Sequence, residues 1–189
     1  LMLLDKEQLE RIKPFSQVRH FSRAALQLAQ FDNSKLCNFK RLNTICNKDV
    51  ALSRLNLDAG HLIQILNSDF KTTDLLDNLR FISNAHENIP LIRIKGFSNT
   101  ESSCAIRLAA MDGTSKNRVH SLFEINSNLP YEKRFSLDDI EHYSNCSKED
   151  YNKFLNLVRL CESKDRSLSK SQLRYLSQLD DTTFLRTRN

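Results

Sequence analysis

Apolar residues recur every three or four positions through the first 85 residues of the chain, as at Val18, Phe21, Ala25 and Leu28. This spacing collects the apolar side chains on one face of a helix. The whole chain contains three Gly and three Pro, so few positions force a turn inside an element. The pattern predicts six helices in this region: 5–13, 16–31, 33–45, 48–55, 59–67 and 73–85.

The pattern changes between residues 89 and 126, where apolar and polar positions alternate. Such alternation is typical of a strand that buries one face. The pairs Asn99-Thr100 and Asp112-Gly113 consist of residue types that are favoured in turns. We therefore predict a three-stranded antiparallel meander over about 89–126, with strands at 89–97, 103–111 and 118–126.

Helical spacing returns after residue 136, and each predicted helix begins with a Ser that an acid or amide follows three residues later. This pairing caps the first free backbone N–H groups of a helix. The pairs are Ser136 with Asp139, Ser147 with Asp150, and Ser169 with Gln172. The predicted fold class is a helix-dominated α+β fold, with an N-terminal helical region, the meander and C-terminal helices.

The length of 189 residues fits a single domain, 1–189, within which 1–85 and 86–189 are candidate sub-lobes. Position 1 is Leu rather than Met, so we expect a fragment of a longer chain. The five cysteines are widely spaced and form no CxxC pair, which predicts free thiols in a reducing compartment, the cytoplasm or the nucleus. No segment has the length and the lack of charge of a signal peptide or a membrane span.

The net charge of +5 comes entirely from the first 57 residues. They hold ten of the 28 Lys and Arg residues and five of the 23 Asp and Glu residues, whereas the rest of the chain is balanced. A local excess of positive charge favours an acidic partner. We predict that a basic N-terminal helical face docks an acidic protein surface through Arg19, Arg23, Lys40 and Arg41.

DNA is the alternative partner, because apolar residues in 49–67 fall where two short helices would pack around a tight turn. These residues are Ala51, Leu55, Leu57, Leu62 and Ile65, with Asn56 at the turn, where a left-handed backbone is needed. The segment resembles a helix-turn-helix, although Leu52 and Gly60 depart from that pattern. The resemblance implies base contacts from His61 and Gln64 and phosphate contacts from Lys48 and Arg54.

A winged-helix arrangement is a variant of the DNA-binding hypothesis. In it, residues 73–85 form the recognition helix and a hairpin over 89–111 forms the wing. Arg80, Arg93 and Lys95 would then line one side of the DNA-binding surface.

An enzymatic function is a second alternative, and it rests on Cys104 and His120. A Cys-His pair with Asp112 or Glu124 to orient the imidazole would suit a cysteine-dependent hydrolase or transferase. On the predicted strands, however, Cys104 lies on the core face, which favours a buried structural thiol.

The common catalytic motifs are missing from the sequence. It contains no glycine-rich phosphate loop, no serine-hydrolase elbow and no HExxH metal motif. We therefore predict a non-enzymatic, regulatory or interaction module with no catalytic residue, no metal site and no cofactor.

Overall fold

The computed structural model describes residues 4–86, 96–130, 134–163 and 168–179. All regular structure in these residues is helical, and they contain no strand. The α-helices are α1 (Lys6–Ile12), α2 (Phe21–Ala29), α3 (Asn33–Lys48), α4 (Val50–Ser53), α5 (Ala59–Leu66), α6 (Thr72–His86), α7 (Asn99–Ala109), α8 (Gly113–Asn128), α9 (Leu137–Asn145), α10 (Lys148–Ser163) and α11 (Lys170–Ser177). None of the described helices is both long enough and apolar enough to cross a membrane.

The predicted α+β class, with its meander, is wrong. The segments 103–111 and 118–126, predicted as strands, lie in helices α7 and α8. The segment 89–97 falls mostly outside the described residues. Without the strand at 103–111 the hairpin over 89–111 does not form, so the winged-helix hypothesis is wrong as well.

Both missed helices carry signals that compete with the alternating pattern. Ser98 caps α7, and its capping box with Glu101 places a helix start at the predicted turn. In α8 the buried residues Val119, Leu122 and Phe123 follow helical spacing. Short apolar runs can fit the alternating period of a strand and the period of a helix alike. The neighbouring Ser, Asn and Asp residues do not separate the two, because these residue types occur both in turns and at helix caps.

The predicted helices before residue 86 and after residue 136 are confirmed, with shifts at their ends. Ser136 and Ser169 each accept a hydrogen bond from the N–H of the residue three positions on, and Ser147 accepts one from Asp150. The helix predicted at 16–31 begins at Phe21 instead. The reason is His20, whose left-handed backbone (φ 55°) interrupts the helical path.

The chain forms two compact units, Leu1–Met111 and Asp112–Asn189. In the first unit, α5 lies at the centre and packs against α2, α3, α6 and α7. Its buried residues are Ala59, His61, Leu62, Ile63 and Ile65. Two buried hydroxyls fasten α4 and the turn after it to the neighbouring helices: Ser83 Oγ donates to the Ala51 carbonyl (2.6 Å) and Ser102 Oγ to the Leu55 carbonyl.

The second unit has an aromatic core. The Phe154 ring stacks on Tyr143 (3.8 Å between centroids) and meets Phe135 edge-on. The buried Asn126 side chain bonds both the N–H and the carbonyl of Phe135. These contacts join α8, α9 and α10 around one cluster.

Candidate functional site

A pocket of about 460 Å³ opens on the first unit. It is lined by the turn after α1, one face of α3, and α4 with the turn that follows it. The lining residues are Pro14, Phe15, Gln17, Val18, Arg19, Lys40, Asn43, Thr44, Cys46, Asn47, Leu52, Ser53, Asn56 and Leu57. Two of them are cations and none of these described residues is an acid, so the pocket has a positive potential.

The wall formed by α3 follows directly from the sequence. Lys40, Asn43, Thr44 and Asn47 lie at positions i, i+3, i+4 and i+7, which fall on one side of a helix. An adjoining side of α3 buries Phe39, Leu42 and Cys46, of which Cys46 also lines the pocket. The helix therefore turns a row of polar side chains toward the pocket while its apolar face packs in the core.

Arg19 reaches the pocket from a turn rather than from a helix. Its carbonyl accepts the N–H of Ala59 (3.0 Å), and the next residue, His20, places Nδ1 2.9 Å from Oδ2 of Asp58. Both contacts join the turn to the N-terminus of α5. The position of Arg19 thus depends on the buried helix α5.

The structure brings together two of the four residues predicted to bind a protein partner. Arg19 and Lys40 line the pocket, whereas Arg23 and Arg41 are exposed on α2 and α3 and do not line it. The side chains of Arg19 and Lys40 form no ion pair or hydrogen bond with any described residue. Both positive charges are available to a ligand.

The thiol of Cys46, one of the buried residues that line the pocket, is unreactive. Burial, reinforced by the carboxylate of Asp49, raises the pKa of the Cys46 thiol to about 12. This thiol is therefore protonated at neutral pH and is a poor nucleophile.

Next to the pocket, a chain of polar groups links α5 to α7. Asp58 caps α5: its Oδ1 accepts the backbone N–H of His61 (3.0 Å). Nε2 of His61 lies 2.9 Å from Oγ of Ser103, which in turn contacts the Asn99 carbonyl at 3.0 Å. Burial, together with the charges of Arg19 and His20, lowers the pKa of His61 despite the nearby Asp58, so its ring is neutral at pH 7.

Ser103, His61 and Asp58 have the spacing of a serine-hydrolase triad, but the ring proton of His61 lies on the opposite nitrogen. In a triad the carboxylate holds the proton on Nδ1, and Nε2 accepts the serine proton. Here Nδ1 lies 2.9 Å from Oδ1 without forming a hydrogen bond, and it accepts the backbone N–H of Asp58 (3.2 Å). Nε2 consequently carries the ring proton and donates to Ser103, whose hydroxyl donates to Asn99.

We expect Ser103 to remain unlabelled by a fluorophosphonate probe at pH 7, because His61 donates to its oxygen and cannot remove its proton. Intact-mass spectrometry should give the same background for wild type and for Ser103→Ala. Labelling of the wild type that disappears in both Ser103→Ala and His61→Gln would contradict the structural role of this chain of groups.

The residues expected to contact DNA do not share one exposed surface. His61 is buried, and α5 exposes chiefly Gly60 and Gln64, which is too little for a helix that reads a groove. Arg54 is half-buried, with Nη1 3.5 Å from Oδ1 of Asn84. Lys48 is exposed at the end of α3. The left-handed backbone expected at Asn56 is confirmed (φ 50°).

The Cys104–His120 pairing loses its basis with the meander. Cys104 lies in α7 of the first unit and is buried, and His120 lies in α8 of the second unit. The neighbouring strands that were to bring the two side chains together do not form in the described residues.

Sequence reasoning missed the polar half of the pocket and the whole Asp58–His61–Ser103 chain. The row of polar residues on α3 was a visible signal. The other contributors come from separate segments, and no local pattern brings His20, Asp58 and Ser103 together.

No protein-family profile, curated protein or solved structure matches the chain, so its site is interpreted from its own geometry.

Proposed function

We propose that the chain is a non-enzymatic binding module that docks an acidic protein partner on the basic face around the Arg19–Lys40 pocket. The observation that carries this proposal is a pocket with two cations and no acid among the described residues that line it. Unpaired cations at a concave surface attract acidic groups and speed their approach. Arg23 and Arg41 do not line the pocket, but both are exposed on α2 and α3 and add to the positive charge of this unit.

Several features support a docking role over catalysis. The Cys46 thiol is protonated, the Ser103 hydroxyl is a hydrogen-bond acceptor for His61, and Cys104 is buried. A docking surface needs a fixed shape, and the pocket has one, because its walls are anchored to the core through α3 and α5.

We expect the double charge reversal Arg19→Glu/Lys40→Glu to reduce partner capture by about tenfold or more, because it replaces attraction with repulsion at the centre of the contact. The measurement is quantitative mass spectrometry of proteins retained by the immobilised chain. The supporting result is a set of acidic proteins that bind wild type and are lost with this variant, while circular dichroism stays unchanged.

Two matched variants control for net charge. Lys6→Glu/Lys71→Glu makes the same change in net charge at exposed residues that do not line the pocket, and it should leave capture unchanged. Arg23→Glu/Arg41→Glu should have an intermediate effect. Equal losses in all three variants would indicate nonspecific attraction and contradict the proposed face.

The same preparation also tests DNA binding. A 20-base-pair duplex that bound with steep salt dependence, and that was released by Lys48→Glu/Arg54→Glu, would favour the DNA-binding alternative. We expect no such binding.

A further inference from the structure

The pocket combines two chemistries in two layers. Its buried lining is apolar, with Phe15 (8% exposed), Cys46 (4%) and Leu52 (0%) at the bottom. Val18 and Leu57 are half-buried beside them. Apart from Pro14, the exposed lining is polar or cationic, and it forms the rim.

The rim is suited to anions and to peptide groups. Arg19 presents a guanidinium that matches a carboxylate, and Lys40 adds a mobile positive charge. The pocket is also lined by amide side chains, of which Asn47 Nδ2 donates to Asn43 Oδ1 (3.1 Å). Amides both donate and accept, so they can pair with an extended backbone.

The size of the pocket excludes a single carboxylate as its whole ligand. About 460 Å³ lies in the range of clefts that enclose a molecule of several hundred daltons. A purely anionic ligand would leave the apolar floor in contact with water, and a purely apolar one would leave the two cations unpaired. Only a ligand with both characters satisfies both layers.

We propose that the docked partner segment carries one apolar anchor side chain, which sits on the floor formed by Phe15, Cys46 and Leu52, with carboxylates on either side that pair with Arg19 and Lys40. This inference rests on the proposed docking function and specifies the segment that the pocket accepts. Charge complementarity selects an acidic peptide, and the apolar floor selects its central residue.

The test is fluorescence anisotropy of three labelled pentapeptides with the full chain. The first has leucine between two pairs of glutamates, the second has serine in place of the leucine, and the third has lysines in place of the glutamates. We expect the first peptide to bind, the second to bind about tenfold more weakly because it buries no apolar side chain, and the third not to bind.

Variants of the chain locate the two contributions. Arg19→Gln/Lys40→Gln should abolish binding of the first two peptides. Val18→Thr, which keeps the shape and adds a hydroxyl, should weaken the leucine peptide severalfold and leave the serine peptide unchanged. Lys6→Gln/Lys71→Gln serves as the control with the same loss of charge and should bind as wild type does.

The outcomes separate this inference from the docking function. If the leucine and serine peptides bind equally, and both are lost with Arg19→Gln/Lys40→Gln, the anchor is wrong while the basic docking face stands. If no peptide binds, the anchored-segment inference is overturned, and the docking function is judged by capture of acidic proteins. If the lysine peptide binds as well as the leucine peptide, both the anchored-segment inference and the proposed docking function are wrong.

Discussion

Replacing Asp58 by Ala is expected to destabilise the first unit by about 2–4 kcal/mol. The carboxylate caps α5 through the His61 N–H and bonds His20 at 2.9 Å, and its residue is 7% exposed. Loss of a helix cap alone costs about 1 kcal/mol, and the remainder comes from buried polar partners left without a bond. Chemical denaturation monitored by circular dichroism measures the difference.

Two variants control this prediction. Asp58→Asn keeps an acceptor for the helix cap and should lose only about half as much stability. Ser98→Ala removes the exposed cap of α7 in the same unit and should cost about 1 kcal/mol. An Asp58→Ala variant no less stable than Ser98→Ala would show that the contacts with His20 and His61 add nothing.

The contribution of Asp58 depends on pH. Burial would raise its pKa, but hydrogen bonds from the His61 N–H and from His20 outweigh burial and lower the pKa below its ordinary value. A carboxyl with a lowered folded-state pKa stabilises the fold above its unfolded pKa of about 4 and loses that effect as the pH falls through the folded value. The stability difference between wild type and Asp58→Asn should therefore narrow below about pH 4.

Gly96→Ala is expected to cost about 2–4 kcal/mol. Gly96 has φ +69°, and an added Cβ would lie 2.8 Å from the Arg54 carbonyl and 2.4 Å from Asn56 Nδ2. The close approach is held by two hydrogen bonds, from Phe97 N–H to the Arg54 carbonyl (2.8 Å) and from Asn56 Nδ2 to the Phe97 carbonyl (3.0 Å). The added methyl group must push these segments apart, and Asn56 also lines the pocket.

The other two glycines provide matched controls. Gly113 also has positive φ (+45°) but has no atom within 4 Å of an added Cβ, so Gly113→Ala should cost only about 1 kcal/mol of backbone strain. Gly60 lies in α5, where Ala favours the helix, but an added Cβ would lie 3.3 Å from Oδ1 of Asp58, the cap of that helix, so the two effects oppose each other and Gly60→Ala should be close to neutral. Thermal unfolding of the three variants tests this order. A Gly96→Ala protein as stable as Gly113→Ala would contradict the predicted steric clash.

The two residues replaced in the stability predictions also position residues of the docking pocket, on the turns that precede and contact α5. Asp58 holds the turn that carries Arg19, and Gly96 holds the turn that carries Asn56, so both variants should also weaken peptide binding. This coupling explains why a small, largely buried helix matters for a surface that it does not itself form.

The helices of the first 85 residues and the Ser-capped helices after residue 136 were predictable because their apolar spacing and their caps act locally. The positive charge of the N-terminal region and the left-handed Asn56 were predictable for the same reason. The segments 103–111 and 118–126 were not, since their apolar residues fit a period of two and a helical period alike. There the Ser98 cap marks where α7 begins, and Asp112, whose side chain makes no capping hydrogen bond, precedes α8.

By itself the sequence determined that the segments before residue 86 and after residue 136 form amphipathic helices and where the positive charge lies, because neighbours along the chain set these properties. Only the tertiary structure decided that Arg19 and Lys40 share a pocket while Arg23 and Arg41 do not line it. It also decided that His61 is a buried donor to Ser103 rather than a residue that reads a base. These outcomes depend on contacts between residues up to 42 positions apart, which the packing around α5 creates and no local pattern encodes.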